Sequence, residues 1–140
     1  MLRLRIGGHR KVSMSEIELK SAVPILFVRD VSASAAYFQD KLGFEIDFLH
    51  GAPPFYGSVS RGKACLHLRF VHQPNFADLA AREAPLILAA IEVSDVQGLF
   101  EKFRERGVEF AQTPTKQPWG GTDFHVRDPD GNVFSFVTYG

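Results

Sequence analysis

The chain has 140 residues, of which 45% are hydrophobic, and it carries 16 basic side chains, 16 acidic side chains and one cysteine. This length and apolar content suit one domain that buries a core without a cofactor, and a single cysteine excludes an intrachain disulfide and a zinc site made of cysteines. The balanced charge and the lack of an apolar run near the ~20 residues of a membrane helix predict a cytoplasmic protein that binds neither nucleic acid nor a membrane.

The first residues are basic and precede the patterned part of the chain. They lack the apolar segment of a secretory signal, so we predict a loose N-terminal arm over residues 1–20, with an organelle transit peptide as the alternative. Met14 is a candidate start within this arm. Residues 21–140 are predicted to form a single domain of two modules, at about 21–72 and 85–140.

A repeated motif supports the division into two modules. Val28-Arg29-Asp30-Val31 recurs as Val93-Ser94-Asp95-Val96 at a spacing of roughly 65 residues, which is typical of two copies of one supersecondary unit. Apolar residues at helical spacing follow each motif, and each helix is expected to end at a glycine, Gly43 or Gly107. Asp30 is the predicted N-cap of the first helix, and Ser94 or Asp95 that of the second. The predicted helices span residues 32–42 and 96–106.

Short strands flank each helix, one before it and three after it. They are predicted at residues 22–28, 45–49, 55–60 and 64–70 in the first module, and at residues 86–93, 109–112, 122–127 and 132–138 in the second. The order βαβββ therefore occurs twice, which makes an α+β fold. Between the modules, Phe76, Leu79 and Ala80 indicate a short amphipathic helix.

The last part of the chain contains a tight turn and an aromatic loop. In the Asp-Pro-Asp-Gly-Asn sequence at 128–132, Pro129 presets its own φ and Gly131 permits the positive φ that closes the turn. Trp119 follows a proline and precedes two glycines, the first of which is Gly120. Such a loop holds a large aromatic ring where a ligand can approach the backbone closely.

The paired βαβββ units, the Val-x-Asp-Val helix entries and the Asp-Pro-Asp-Gly-Asn turn resemble the vicinal oxygen chelate superfamily, which includes glyoxalase I, extradiol dioxygenases, and fosfomycin- and bleomycin-resistance proteins. The resemblance covers residues 21–139, and the stretches at 21–31, 117–124 and 127–132 look most like the bleomycin-resistance branch. It implies a curved, mixed sheet around a cleft, with the helices on the outer face. It also implies a homodimer whose clefts draw walls from both chains.

The same resemblance bears on metal binding. In the metal-using branches, the first and last strands of each module supply the ligands of a divalent cation, and the corresponding positions here are Val23, His67, Leu88 and Ser135. Only His67 offers an imidazole or carboxylate, the groups that such a site needs. We therefore expect no metal and no cofactor.

Two interpretations of His67 remain open. Leu66 and Leu68 alternate with His67 and Arg69, so if the leucines face the helix-covered core, the two polar residues face the cleft. His67 is then either a metal ligand or general base, or a cleft residue that makes one hydrogen bond to a ligand or neighbour. The missing carboxylates at the companion positions favour the second interpretation.

Further aromatic and polar side chains are candidates for ligand contact. Trp119 can stack on a planar ligand, with packing in the core or at a subunit interface as the alternative. Phe55 and Tyr56 can form a second aromatic wall or simply pack. His125 can bind an acidic group of a ligand, with a salt bridge to Asp128 or Asp130 as the alternative. No catalytic residue is assigned. The predicted ligand-binding residues are Phe55, Tyr56, His67, Arg69, Trp119, Gly120, His125 and Ser135.

Three functions fit these residues. The first, implied by the bleomycin-resistance resemblance, is metal-independent sequestration of a planar antibiotic or related ligand in a dimer cleft. The second is a metal-dependent lyase, isomerase or dioxygenase of the glyoxalase type, and the third is a family member with another small ligand. The incomplete metal-ligand set argues against the second function and the Trp119 loop favours the first. We therefore predict a small-molecule binding protein rather than an enzyme.

Overall fold

The structure is a computed structural model that describes residues 12–140. The N-terminal arm predicted at 1–20 falls partly outside the described residues, and its described part contains one exposed 3₁₀ turn at Met14–Glu16. None of the helices in the described part is both long enough and apolar enough to cross a membrane. The elements are β1 (Ile25–Val28), α1 (Val31–Leu42), β2 (Glu45–Gly51), β3 (Pro54–Arg61), β4 (Ala64–Phe70), α2 (Phe76–Arg82), β5 (Ala90–Glu92), α3 (Val96–Glu105), β6 (Phe110–Lys116), β7 (Thr122–Arg127) and β8 (Val133–Thr138).

The order βαβββ is confirmed in both halves, and the α+β fold with it. Hydrogen bonding divides the strands into two four-stranded mixed sheets, β1-β4-β3-β2 and β5-β8-β7-β6, rather than one continuous curved sheet. In each sheet the first strand pairs in parallel with the fourth, and the other pairs are antiparallel. Among the described residues no strand pairing joins the two sheets. The edge strands are β1 and β2 in the first sheet and β5 and β6 in the second. Each sheet therefore keeps two open edges.

Six of the eight strands differ in length from the prediction: β2, β3 and β8 by one or two residues, and β1, β5 and β6 by three or more. β1 is shorter because Pro24, in its expected first half, has no N–H to donate to a ladder. β5 is shorter because only Ala90, Ile91 and Glu92 pair in register with β8. β6 is longer and runs to Lys116, because its pairing with β7 continues past two register shifts. The expected linker helix is present as α2.

The helix ends follow the local sequence signals. The Asp30 carboxylate accepts a hydrogen bond from the backbone N–H of Ala33, and Asp95, rather than Ser94, caps α3 in the same way. Gly43 ends α1 in the left-handed conformation with φ of +74°. A residue with a Cβ pays a steric cost in that conformation, so glycine suits the position.

One apolar core joins the two modules. The ring of Phe38 on α1 stacks on that of Phe134 on β8, with centroids 5.6 Å apart. On α3, the ring of Phe103 meets those of Phe124 and Phe136 edge-on. Buried aromatic pairs of this kind contribute about 0.5–1.5 kcal/mol beyond the area they bury. The helices thus cover one face of each sheet, and the opposite faces remain for a site.

The turn at 128–132 fastens the second module to the first. Asp130 Oδ1 accepts a hydrogen bond from the backbone N–H of Arg29, and Asn132 Nδ2 donates to the carbonyl of Phe27, each at 3.0 Å. Within the turn, buried Asp128 accepts the backbone N–H groups of Asp130 and Asn132 at 2.9 and 2.8 Å. Burial raises the pKa of the Asp128 carboxyl to about 6, although the hydrogen bonds from Asn132 oppose the shift.

Candidate functional site

Polar and aromatic side chains line the uncovered face of the first sheet. Leu66 and Leu68 are buried under α1, so strand alternation puts His67 between them on the opposite face. His67 Nδ1 lies 2.8 Å from the hydroxyl of Tyr56 on β3, and the ring of Phe48 on β2 stands edge-on to the imidazole with centroids 6.0 Å apart. His67 Nε2 has no hydrogen-bond partner within residues 12–140. It is therefore available to a ligand.

A carboxylate on β2 is hydrogen-bonded to Ser58, the cross-strand partner of His67. Asp47 accepts hydrogen bonds from the hydroxyls of Ser58 and Ser60 at 2.8 and 2.7 Å, and Ser58 also lies 3.4 Å from the sulfur of Cys65. Asp47 is exposed, so these contacts orient a negative group that solvent or a ligand can reach. We call the set Asp47, Phe48, Tyr56, Ser58 and His67 the first-module face.

Two of the predicted residues sit at the border of this face. Arg69 pairs across the strands with Tyr56, and its guanidinium donates to the carbonyl of Phe70 at 3.1 Å. Phe55 precedes Tyr56 at the start of β3, and its ring contacts His50 rather than His67 or Arg69. The structure thus brings Tyr56, His67 and Arg69 together and separates Phe55 from them.

A buried carboxylate organises the uncovered face of the second sheet. Asp123 on β7 is 5% exposed and accepts four side-chain hydrogen bonds. Its Oδ1 atom accepts from Gln112 and Gln117 at 2.8 and 2.9 Å, and its Oδ2 atom accepts from His125 and Ser135 at 3.1 and 3.3 Å. We call these five residues the second-module face.

The hydrogen bonds decide the charge state of Asp123. Burial alone disfavours the carboxylate, but the donors Gln117, His125 and Gln112 together outweigh it and hold the pKa of Asp123 below its usual value. An ionised carboxylate only accepts, so the Nε2 atom of His125 must carry the proton in their 3.1 Å contact. Nδ1 is then the ring nitrogen of His125 that has no hydrogen-bond partner within residues 12–140.

The loop between β6 and β7 presents Trp119 at the edge of this face. The backbone of Gln117 bonds that of Gly121 at 2.7 Å, and the side chain of Gln117 bonds Asp123. The ring of Trp119 is 58% exposed, lies 5.7 Å from that of Tyr139, and folds back over Gly121, where a Cβ atom would collide with it. Gly120 takes a φ of +107° in this loop, which disfavours any other residue.

The predicted residues therefore form two groups. Tyr56, His67 and Arg69 form the first group, on the first sheet. The second group lies on the second sheet and its β6–β7 loop and consists of Trp119, Gly120, His125 and Ser135. Phe55 belongs to neither group. No side-chain hydrogen bond or aromatic contact within the described residues connects the two groups. Sequence reasoning missed the organising role of Asp123. Its alternation with His125 around buried Phe124 was the available signal.

The positions that correspond to metal ligands do not fit a divalent cation. The four positions are Val23, His67, Leu88 and Ser135. The backbone N–H of His67 bonds the carbonyl of Pro24, next to Val23, and that of Ser135 bonds the carbonyl of Ala89, next to Leu88. Val23 and Leu88 provide no donor atom, and the serine hydroxyl is a weak ligand compared with imidazole or carboxylate. In the part of the chain described here, no three His, Cys, Asp or Glu side chains come together as a possible metal site.

Comparison with known proteins identifies the family. The sequence model of the Glyoxalase/Bleomycin resistance protein/Dioxygenase superfamily matches residues 19–136. The chain belongs to this superfamily. The resemblance drawn from the repeated motifs and the Asp-Pro-Asp-Gly-Asn turn is thus confirmed.

The relatives of this superfamily member include bleomycin-binding proteins. A bleomycin-binding protein from bleomycin-producing Streptomyces verticillus, solved with copper(II)-bleomycin, has 30% sequence identity and a TM-score of 0.70, over 89% of this chain and 98% of that one. The bleomycin resistance protein of Geobacillus stearothermophilus is 27% identical over 127 residues, 82% of this chain and 93% of that protein. An uncharacterized Bacillus subtilis protein, YetH, is 29% identical over 109 residues, 78% of this chain and 89% of its own length.

Proposed function

We propose that this protein binds and sequesters a small planar ligand, bleomycin or a related antibiotic, without performing chemistry on it. The observation that carries the proposal is the presentation of Trp119: a large aromatic ring, 58% exposed, on a loop fixed by hydrogen bonds to Asp123 and Gly121. A fixed aromatic surface loses little conformational entropy when a flat ligand stacks on it. The relative from Streptomyces verticillus, which binds copper(II)-bleomycin, supports the ligand class.

The ligand cleft is formed by two chains in this proposal. The first-module and second-module faces belong to different sheets, and each offers one imidazole nitrogen that has no partner within residues 12–140, Nε2 of His67 and Nδ1 of His125. In a C2 dimer, the first-module face of one protomer can oppose the second-module face of its partner, which creates two equal clefts. Ile25 and Phe27, next to the first-module face, are each 48% exposed. Burial of these apolar side chains by a partner protomer favours the dimer.

The charge of the two faces suits a ligand with a cationic group. Asp47 is an exposed carboxylate, and Asp123 is held ionised by its donors. Acidic groups inside a cleft attract a cation even when the whole chain has no net charge. Arg69 at the border favours an additional acceptor group on the ligand.

Titration with metal-free and copper-loaded bleomycin tests the proposal directly. Trp119 is the sole tryptophan, so its emission reports on the loop alone. We expect saturable quenching or a spectral shift, and N-acetyltryptophanamide titrated in parallel corrects for absorption by the ligand. Calorimetry on the same samples gives a measurement independent of optical effects. No saturable heat with either form of the antibiotic would reject it as the ligand.

Two further measurements test the cleft and the enzyme alternative. Sedimentation at micromolar concentration should show a dimer, and a clean monomer would contradict the shared cleft. Elemental analysis should show no stoichiometric transition metal. Near-stoichiometric nickel, zinc or iron that disappears in His67→Ala would instead support a metal-dependent lyase or dioxygenase.

A further inference from the structure

We propose that the protein has a second binding site, for an anion with an apolar body such as a medium-chain carboxylate, in the cavity between the β3–β4 turn and the start of α3. The cavity has a volume of about 1100 Å³, and none of the eight predicted ligand-binding residues lines it. Pockets of about 300–1,000 Å³ are typical of small-molecule sites, so the space suffices for such a ligand. This site is independent of the function proposed above.

The two halves of the repeat explain why the cavity exists. In the second module the turn between β7 and β8 reaches the start of α1, where Asp130 and Asn132 bond Arg29 and Phe27. The equivalent turn between β3 and β4 consists of Gly62-Lys63 alone. Within the described residues it makes no hydrogen bond to the start of α3. The space filled by protein in one half is therefore open in the other.

The floor of the cavity is apolar. Phe44, Leu66 and Phe136, at most 3% exposed, form its base, and the partly buried residues Ile91 and Leu99 extend the same surface toward solvent. A ligand that covers Ile91 and Leu99 removes their remaining apolar area from water, which favours binding through the hydrophobic effect. An alkyl or aromatic body fits this surface better than a sugar or another polyhydroxylated ligand.

The rim of the cavity is basic. It carries Arg61, Lys63 and Lys102, and none of them has a carboxylate within salt-bridge distance among residues 12–140. The acids on the rim are Asp95, whose carboxylate already accepts the N–H of Gly98 at the start of α3, and Glu92. Arg61 also donates to the carbonyl of Leu42 at 2.8 Å, which holds its guanidinium at the rim. Three cations thus stand against two carboxylates, and this excess of one positive charge favours an anionic ligand.

Calorimetric titration with decanoate tests the proposal. We expect saturable binding that weakens as salt is raised, and no binding of decyltrimethylammonium, which has the same chain and the opposite charge. Reversal of two rim charges in the Lys63→Glu, Lys102→Glu double variant should weaken decanoate binding by about tenfold. Lys116→Glu, an exposed lysine on β6 that does not line the cavity, should change the affinity by less than about twofold.

A filling variant tests the cavity itself without changing its charge. Ala64 lines the cavity, is only partly buried and lies two residues before Leu66 on β4, so its side chain points to the same face as the cavity floor. Ala64→Phe should therefore occupy the apolar space, abolish decanoate binding and leave the fold intact by circular dichroism. Bleomycin binding followed at Trp119 should persist in the charge-reversed variant, which separates this site from the cleft. Absence of saturable decanoate binding would overturn the proposal. So would unchanged affinity in the charge-reversed variant, or a change of its oligomeric state, which would identify the cavity as a surface between protein chains.

Discussion

The side chain of Gln117 donates a hydrogen bond to Asp123 at 2.9 Å, and this contact joins the loop of Trp119 to the second-module face. The loop thereby depends on a carboxylate that also holds Gln112, His125 and Ser135. A buried acceptor shared by four donors is sensitive to any change of its charge or hydrogen-bonding capacity.

Asp123→Asn should therefore destabilise the fold and loosen the loop. In the wild type both oxygens of Asp123 accept hydrogen bonds, whereas an asparagine amide has an NH₂ group in place of one oxygen, and this group would face donors. We therefore expect the free energy of unfolding, measured in urea, to fall by about 2–3 kcal/mol. The emission of Trp119 should shift in the folded variant as well. Asp78→Asn, an exposed position on α2, is the matched control and should change stability by less than about 0.5 kcal/mol. Equal stability of both variants would mean that Asp123 does not organise the face.

Asp128 should make stability fall as the pH rises from about 4 to about 6. Its pKa is 3.8 in the unfolded chain and about 6 in the fold, so over this range the folded state holds a proton that the unfolded state has released. The contribution present at pH 4 should shrink by roughly 2–3 kcal/mol at pH 7. Unfolding by urea at a series of pH values, compared between the wild type and Asp128→Asn, isolates the contribution of Asp128 to the free energy of unfolding. Parallel pH profiles for the two proteins would contradict the prediction.

Trp119→Ala should weaken ligand binding more than it weakens the fold. Loss of a stacked aromatic anchor typically costs about 1–3 kcal/mol, a factor of about 5–150 in affinity, which calorimetry with bleomycin measures. The melting temperature should change little, because more than half of the ring is already exposed. If the variant instead unfolds easily and its folded fraction binds with unchanged affinity, Trp119 is a packing residue.

Tyr37→Phe should leave stability unchanged or raise it by up to about 1–2 kcal/mol. The hydroxyl of Tyr37 is buried without a hydrogen-bond partner among the described residues, and burial together with the charges of Asp128 and Glu109 raises the pKa of this phenol. Removal of an unsatisfied polar atom eliminates its desolvation cost while the ring keeps its edge contact with Phe38. A loss of more than about 1 kcal/mol in urea unfolding would indicate that the hydroxyl has a partner, such as a buried water.

The fold was accessible from the sequence because its signals are local. Asp30 is followed by apolar residues at helical spacing and by Gly43, so the start and end of α1 can be read without any tertiary contact. β4 and β7 match their predicted bounds. β4 alternates apolar and polar residues, and β7 lies between the glycines of the Trp119 loop and the turn at 128–132. β5 was predicted too long, because an apolar run does not show how many of its residues find a pairing partner.

The sequence by itself determined the repeated βαβββ order and the turn at 128–132, since both depend on residue types at fixed spacing. Only the tertiary structure decided that the strands divide into two sheets and that Gln112, Gln117, His125 and Ser135 converge on Asp123. Those four donors come from β6, the following loop, β7 and β8. Their convergence depends on the register of three strands and on the path of one loop, and no periodicity within a single strand encodes it.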